Sequence, residues 1–515
     1  MSSRIVDTPD SVHTGLVVLD GIGLGIADVV RLADGTARPV AGTDAMRRVT
    51  ESWDAARQIA ATGRVYGRST GVGANRNEPV PTEAAAEHGL RLLRSHAGAI
   101  GDELPARQVR AMLAVRANQL LAGGAGLRPT VVTALCEALE SGAYPVVNEF
   151  GSVGTGDIAA LAQVGLALAG EHPWRKGEGS GGLGPGGSGV AGAPEPQPLD
   201  NNDALAFISS NALTLGQAAL ALHELRGLVE ATQVVGALSL LAVDGSHEAY
   251  AAPVHAARPH RGSARVARRM RELIGAADRP TPPLGRIQDP YGFRCLPQIH
   301  GPAHDAADAL EEVLAMEINA ASENPLISPE DMAAYHHGGF YQAELALALD
   351  HFRLSLTQVA RLSTSRLSTL NEPAFTRLRP FLADPEPASS GVMIMEYAAA
   401  AALGDLRAFS APASLGHAVL SRGVEEQASF ASLAARQTLR ACRAYRLVVG
   451  CELVAAVRAL RQRDLRPDPE LPVGRALELA ESVLDEEQAD RPLTEDVAKA
   501  AALLDRFTDI WRGSE

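Results

Sequence analysis

Lysine is nearly missing from this 515-residue chain, occurring only at Lys176 and Lys499. Lys176 lies in a glycine-rich segment and Lys499 in a terminal helical stretch, and neither setting is a desolvated pocket. Schiff-base chemistry on a lysine, PLP chemistry included, is therefore not expected. A Walker-type loop is excluded because no glycine turn carries a following Lys. Cysteine is scarce too. Cys136, Cys295, Cys442 and Cys451 form no CxxC pair, which points to a reduced, cytoplasmic setting and away from structural zinc. Aromatic residues make up 4% of the chain, so its core must be built from Ala, Leu and Val. Positive charge is in deficit as well. A formal net charge of -14 argues against nonspecific nucleic-acid binding. The start, "MSSRIVDTPD", has no apolar signal core. Apolar windows such as "IAALAQVGLALAG" fall short of the ~20 residues a membrane span needs, so no membrane partner is expected.

What is present is a long chain of ordinary hydrophobic content, 46%, with room for two or three structural units. Residues 1–200 read as a mixed α/β part of short strand-like pieces ("GLVVLDG") and amphipathic helices. "ARQVRAMLAVRANQLLAGGAGLRP" reads as a helix stopped by Gly123 and Gly124, and "PTVVTALCEALESGAYP" as one ended at Gly142. Pro173 to Leu199 is low-complexity and reads as a loop, and no strand is expected to lead into its "GLGPGGSG". Residues 201–465 are dominated by long helical periodicities. Examples are "YQAELALALDHFRLSLTQVARLSTSRLSTLN" and "EEQASFASLAARQTLRACRAYRLVVGCELVAAVRALRQR". They predict a mostly α fold with a central bundle whose apolar faces need covering by further copies of the chain. Pro467, Pro469 and Pro472 set off a helical tail, residues 466–515.

Several stretches carry groups capable of chemistry. "GSVGTGD", Gly151 to Asp157, has three glycines in seven residues, a composition that fits neither helix nor strand interior. Tyr66, in "RVYGRSTGVG", sits beside a glycine-rich turn. It is either a surface tyrosine or an acid/base on a mobile loop. In "IQDPYGFRCLPQIHG", Gln288, Tyr291 and Arg294 are spaced three apart, so one helical face could present all three, although Pro290 makes a regular start uncertain. Arg294 is either a carboxylate clamp or a structural ion-pair partner. His300 and His304 have i, i+4 spacing, but Gly and Pro lie between them and no catalytic Glu accompanies them, which speaks against a metal pair. His336 and His337 read as loop histidines. Glu425 and Glu426, in "GVEEQASF", read as a solvated helix start.

Taken together, these segments resemble the histidine and aromatic amino acid ammonia-lyase superfamily. The likeness runs in order from about Val17 to Gln437. "VYGRSTGVG" is similar to the family's "YGxNTGFG", and "LRSHAGAIG" to "LSHAAGVG". "PVVNEFGSVGTGD" is similar to "PVVPxxGSVGASGD", and "IQDPYGFRCLPQIHG" to "QDxYSLRCxPQVxG". "EINAASENPLI" is similar to "ExNAxTDNPL", and "GGFYQAE" to "GNFHGxP". The resemblance implies a mostly helical homotetramer whose active sites form where three subunits meet. It implies that Tyr66 is the base removing a β-proton from an amino-acid-like substrate and that Arg294 holds the substrate carboxylate. Tyr291 and Gln288 would lie around the amino group and cofactor, Phe340 would be a pocket aromatic, and Glu425 an acid near the amine or imidazole. Ser95 and His96 match the histidine-selective version of the side-chain pocket. For Tyr66 to act as a base, its reference pKa of ~10 must be pulled down by positive charge or hydrogen bonds, to which Arg294 would contribute.

The chain departs from the family where the electrophile is made. The family cyclises Ala-Ser-Gly into a methylidene-imidazolone (MIO) group that turns ammonia into a good leaving group. Here that turn is one residue shorter, and the nearest triad is Gly154-Thr155-Gly156. Dehydrated Thr155 would carry an extra methyl on the attacked carbon. The family's supporting Asn is replaced by Ser209, with Asn211 two residues on, and Ala160 stands in place of a Pro. Three readings follow. The favoured one is a lyase or isomerase acting on a carboxylate-bearing, amino-acid-like substrate through Tyr66 and Arg294, with no standard MIO, metal or other cofactor expected. The second is a true histidine or aromatic ammonia-lyase or aminomutase with a variant cofactor from Gly154-Thr155-Gly156. The third is a non-catalytic homologue that binds or regulates.

Overall fold

A computed structural model describes residues 15–177, 190–281 and 285–512. The chain is mostly helical, and its helices form two compact units. The first unit comprises residues 1–220, 311–347 and 413–436; the second comprises 221–310, 348–412 and 437–515. Residues 1–200 thus fall in the first unit and 466–515 in the second, while 201–465 is shared between them.

All strands among the described residues lie in the first unit, as four two-stranded sheets. Leu16–Leu19 pairs in parallel with Arg38–Ala41. Three antiparallel pairs join Ile100–Glu103 to Asn148–Phe150, Ala143–Pro145 to Trp174–Lys176, and Leu326–Ser328 to Ala333–Tyr335. One strand therefore does lead towards the glycine-rich stretch: Trp174–Lys176 gains its ladder by pairing with Ala143–Pro145, a long-range contact invisible to local composition. "GLGPGGSG" itself lies outside the described residues.

The predicted helix Ala106–Leu121 has thirteen buried residues, Arg110, Arg116, Asn118 and Gln119 among them, so it has no solvated polar face. Arg116 is reconciled with burial by Glu323, 2.7 Å away, and by the carbonyls of Ala206 and Phe207. Thr130–Ser141 ends where Gly142 turns left-handed at φ +79°, a conformation that glycine adopts without a Cβ penalty.

The long helices are Ala212–Ala242, Leu296–Glu317, Ala343–Leu370 and Ala431–Gln462. The last begins later than its periodicity suggests, leaving Glu425 in a short bridge and Glu426 in irregular chain, not at a helix start. Ala212–Ala242 also corrects the reading of apolar windows. The stretch Ala204–Ala242 is long and apolar enough to cross a membrane, yet its most apolar window is wholly buried inside the protein. A helix apolar all round is equally suited to a protein core.

Within the second unit a buried knot joins three of these helices, all but Leu296–Glu317. Arg366 Nε and Nη2 donate to Glu452 at 2.6 and 2.8 Å, and Ser239 and Ser363 donate to the same carboxylate. Both oxygens are thereby satisfied, and Arg366 Nη1 donates to the Gly292 carbonyl at 3.3 Å, which makes the burial of this ion pair tolerable.

Candidate active site

The first unit contains a cavity of about 330 Å³ lined by Tyr66, Thr155, Gly156, Ser209, Phe340 and Glu425, together with Arg76, His336 and their neighbours. Five stretches that lie far apart in sequence thus meet at one place.

Tyr66 is half-buried after the helix Thr43–Thr62. Its hydroxyl oxygen accepts the Gly73 N–H at 2.7 Å, which orients the phenol. The His336 ring meets the Tyr66 ring edge-on, with centroids 6.3 Å apart, and His336 Nε2 accepts the Tyr66 N–H at 3.4 Å. His336 therefore belongs to the site; its only sequence signal was proximity to the Gly338–Gly339 pair. The environment of Tyr66 differs from the expectation of a lowered pKa. Burial, aided by the Glu425 carboxylate, raises it above its ordinary value, while the Gly73 N–H and Arg76 pull the other way.

Glu425 is held by a short antiparallel bridge to Leu420. The turn between them carries Ser421, Arg422 and Gly423 at φ +51°, +57° and +83°. Two consecutive non-glycine residues in the left-handed region are strained, and such strain persists where surrounding contacts enforce it. Here the Ser421 hydroxyl accepts the Ala74 N–H at 3.2 Å, tying this turn to the Tyr66 loop.

The glycine turn forms another wall. Gly154 and Gly156 sit at φ +87° and +110°. The Gly154 carbonyl accepts the Ser429 hydroxyl at 2.7 Å, and the Gly156 N–H donates to Asn211 Oδ1 at 3.0 Å. Ser152 closes the turn on itself, accepting the Gly154 N–H and donating to the Gly156 carbonyl, each at 3.1 Å. Asn211 donates in turn to the Phe340 carbonyl at 2.7 Å, so one buried amide sets both the turn and the pocket aromatic. Ser209 supports the same region by accepting the Asn324 N–H at 3.0 Å. Asp157 starts the helix Ile158–Leu168, but its carboxylate is spent on the Thr214 N–H and hydroxyl at 2.7 and 2.9 Å, not on capping.

An Ala at position 154, as in Ala-Ser-Gly, does not fit this turn. A Cβ there would stand 2.2 Å from Ser429 Oγ and 2.8 Å from the backbone nitrogens of Phe430 and Ala431, on a backbone at φ +87°. The contacts around position 154 are thus adapted to a glycine.

The remaining predicted residues do not line this cavity. His96 ends the helix Ala85–His96, with Nδ1 2.8 Å from the Leu92 carbonyl and 3.0 Å from Ser95 Oγ. Gln288, Tyr291 and Arg294 belong to the second unit. They do not share a helical face, because the helix is only Tyr291–Arg294, started by Pro290, and Gln288 lies exposed ahead of it. Arg294 Nε donates to the Asp289 carbonyl at 2.6 Å, and its guanidinium stacks 4.4 Å from the centre of the Tyr291 ring. The outer guanidinium nitrogens of Arg294 make no hydrogen bond among the described residues. His300 and His304 form no metal cluster among the described residues; His304 Nε2 is instead 2.8 Å from Gln233 Nε2.

A mostly helical fold with a tyrosine and a carboxylate across a glycine-turn pocket defines the class as a helical enzyme of the ammonia-lyase architecture. The aromatic amino acid lyase family model matches residues 24–483. Histidine ammonia-lyase from Geobacillus thermodenitrificans is 33% identical over 95% of this chain and 97% of its own length. Ergothionase from Treponema denticola, described as an ergothioneine degrading enzyme, superimposes with a TM-score of 0.89 at 26% identity, over 96% of this chain and 99% of that one. Histidine ammonia-lyase from Trypanosoma cruzi gives 0.88 at 27% identity, over 97% and 94%. The chain belongs to the aromatic amino acid lyase family and is a carbon–nitrogen lyase.

Proposed function

We propose that this lyase eliminates an already activated amine from a carboxylate-bearing, histidine-like amino acid derivative, with Tyr66 as base and without an MIO group. The observation that carries this reading is the Gly154-Thr155-Gly156 turn, whose left-handed glycines and Ser429 contact leave no room for the alanine of the usual triad.

The chemistry follows from the leaving group. A free amino acid presents an ammonium that a tyrosinate deprotonates more readily than a carbon. The resulting neutral amine is a poor leaving group, which is why an electrophile is otherwise needed. A quaternary nitrogen has no proton to lose and stays cationic. Tyr66 phenolate takes the β-proton, the C–H electrons form the C=C bond, and the C–N bond breaks to release a neutral tertiary amine. Glu425 and the rings of Tyr66 and Phe340 offer negative charge and aromatic faces to such a cation. Arg294 has unspent guanidinium edges for a carboxylate. We assign it to the same site in a homotetramer, with Tyr291 and Gln288 beside it and His96 towards the substrate side chain. The similarity to ergothionase supports this reading.

The similarity to histidine ammonia-lyase supports a second reading, turnover of free histidine through a cofactor made from Gly154-Thr155-Gly156. Incubation with histidine and with its Nα-trimethylated betaine separates the two. The expected result is amine release and absorbance of an α,β-unsaturated acid from the betaine alone, on a protein of unmodified intact mass. Turnover of histidine by a protein lighter by about 36 Da, two waters, overturns the first reading.

A further inference from the structure

The strained turn that presents Glu425 also reaches Tyr66 from outside the pocket. Ser421 and Arg422 hold φ +51° and +57°, and the Leu420 N–H closes the turn on the Glu425 carbonyl at 2.8 Å. A serine in the left-handed region costs free energy that a glycine would not, and such outliers persist where surrounding contacts hold them. Ser421 does not line the pocket. Its contact is with the loop formed by residues 66–80, which lies in the same unit.

The base of that loop is closed by its own backbone. The Gly71 N–H donates to the Glu78 carbonyl at 2.9 Å, and the Val80 N–H to the Ser69 carbonyl at 3.0 Å. The tip, residues 72–77, is joined to segments beyond the loop by a single hydrogen bond among the described residues, from the Ala74 N–H to Ser421 Oγ at 3.2 Å. Gly73 is gripped on three sides. Its N–H donates to Tyr66 Oη at 2.7 Å, and its carbonyl accepts Arg76 Nη1 at 3.4 Å. Ser421 Oγ packs so closely that a Cβ at position 73 would stand 2.7 Å from it, on a backbone at φ +56°. Two successive N–H groups, those of Gly73 and Ala74, thus end on Tyr66 and on Ser421.

We propose that Ser421 is a positioning residue for the elimination: by holding the Ala74 N–H it keeps the Gly73 N–H on the oxygen of Tyr66. The proposal rests on the reading of Tyr66 as the base. That N–H favours the phenolate. Two charges also act on the phenol, the Glu425 carboxylate against the phenolate and the Arg76 guanidinium for it, and the His336 ring meets it edge-on. Glu425 and Ser421 belong to one turn, so a single strained element carries both a charge that disfavours the basic form and the anchor of the N–H that favours it.

Ser421→Gly removes the hydroxyl and relieves the backbone, so this variant should resist denaturant at least as well as the parent. Tyr66 ionisation is read as tyrosinate absorbance in a pH titration of the full chain, by difference from the matching Tyr66→Phe protein. Ser421→Gly and Ser421→Ala should both raise the Tyr66 midpoint by roughly 0.5–1 pH unit, the effect of weakening one hydrogen bond to a charged group. With the Nα-trimethylated betaine of histidine at neutral pH, kcat should fall roughly two- to tenfold while KM stays unchanged. An unmoved midpoint in Ser421→Gly, or a moved midpoint with the kcat and KM of the parent, overturns the proposal. The titration needs no substrate and decides the link between Ser421 and Tyr66 by itself, whereas a parent protein that leaves the betaine intact overturns the proposed function instead.

Discussion

Tyr66 meets two opposing influences in the first unit, and their balance makes the role of single residues measurable. Burial and Glu425 hold its pKa above the ordinary tyrosine value, so the basic form grows only as pH rises into the alkaline range. Rates of betaine turnover should therefore climb with pH. Glu425→Gln removes a charge that disfavours the phenolate and should move that climb to lower pH, whereas Arg76→Gln should move it higher. A pH–rate profile of kcat/KM for the three proteins reads the shifts directly. Tyr66→Phe should lower kcat by at least about 10²-fold, the usual contribution of a positioned base, with little change in thermal stability. Full activity in that variant would remove Tyr66 from the chemistry.

At the scale of elements, the glycine turn and one long helix carry the sharpest expectations. Gly154→Ala places a methyl against Ser429 and the Phe430 and Ala431 backbone, on a left-handed residue. A loss of at least roughly 1–3 kcal/mol in unfolding free energy is expected from the strain alone, measurable by denaturant titration. Helix Leu296–Glu317 buries both His300 and His304. Burial drives both pKa values down, that of His304 to about 3, with Arg265, Arg269 and Arg226 adding repulsion; Arg366 and His304 act on His300 in the same way. Because the folded values lie below the unfolded one, this contribution is fully present above about pH 6.5 and is lost as pH falls towards 3. His304 should cost about 1.4 kcal/mol per pH unit in that window. His304→Gln should unfold less steeply with acid than the parent in urea titrations at pH 7 and 5, and an identical slope would show that His304 does not report its burial.

The whole molecule raises the question of what covers its exposed apolar groups. Ile287, Tyr291, Ile394, Tyr397 and Leu415 are 93%, 68%, 59%, 67% and 82% exposed. Such a set is expensive to leave in water. Light scattering should find four chains per particle, and Tyr397→Asp combined with Ile394→Asp should lower that number together with activity if active sites are shared between subunits. Activity in a stable monomer would place the complete site within one chain.

The sequence alone was enough for the class of fold, because helical periodicity over thirty residues is a strong local signal and the ordered motifs from Val17 to Gln437 are specific. It was enough to single out Tyr66, Glu425, Phe340 and the Gly154-Thr155-Gly156 turn, which the first unit brings around one pocket. It also marked the helix stops at Gly123 and Gly142, since those depend on the residue itself. What only tertiary structure decided depends on distant partners. His336 joined Tyr66 through a fold that local composition does not encode. The Tyr66 pKa rose because burial is a property of packing, not of neighbours in sequence. Ala212–Ala242 became a core helix because packing buries its most apolar window. Arg110 came to close two helix ends only because Leu32, Ala33 and Leu139, far from it in sequence, were packed beside it.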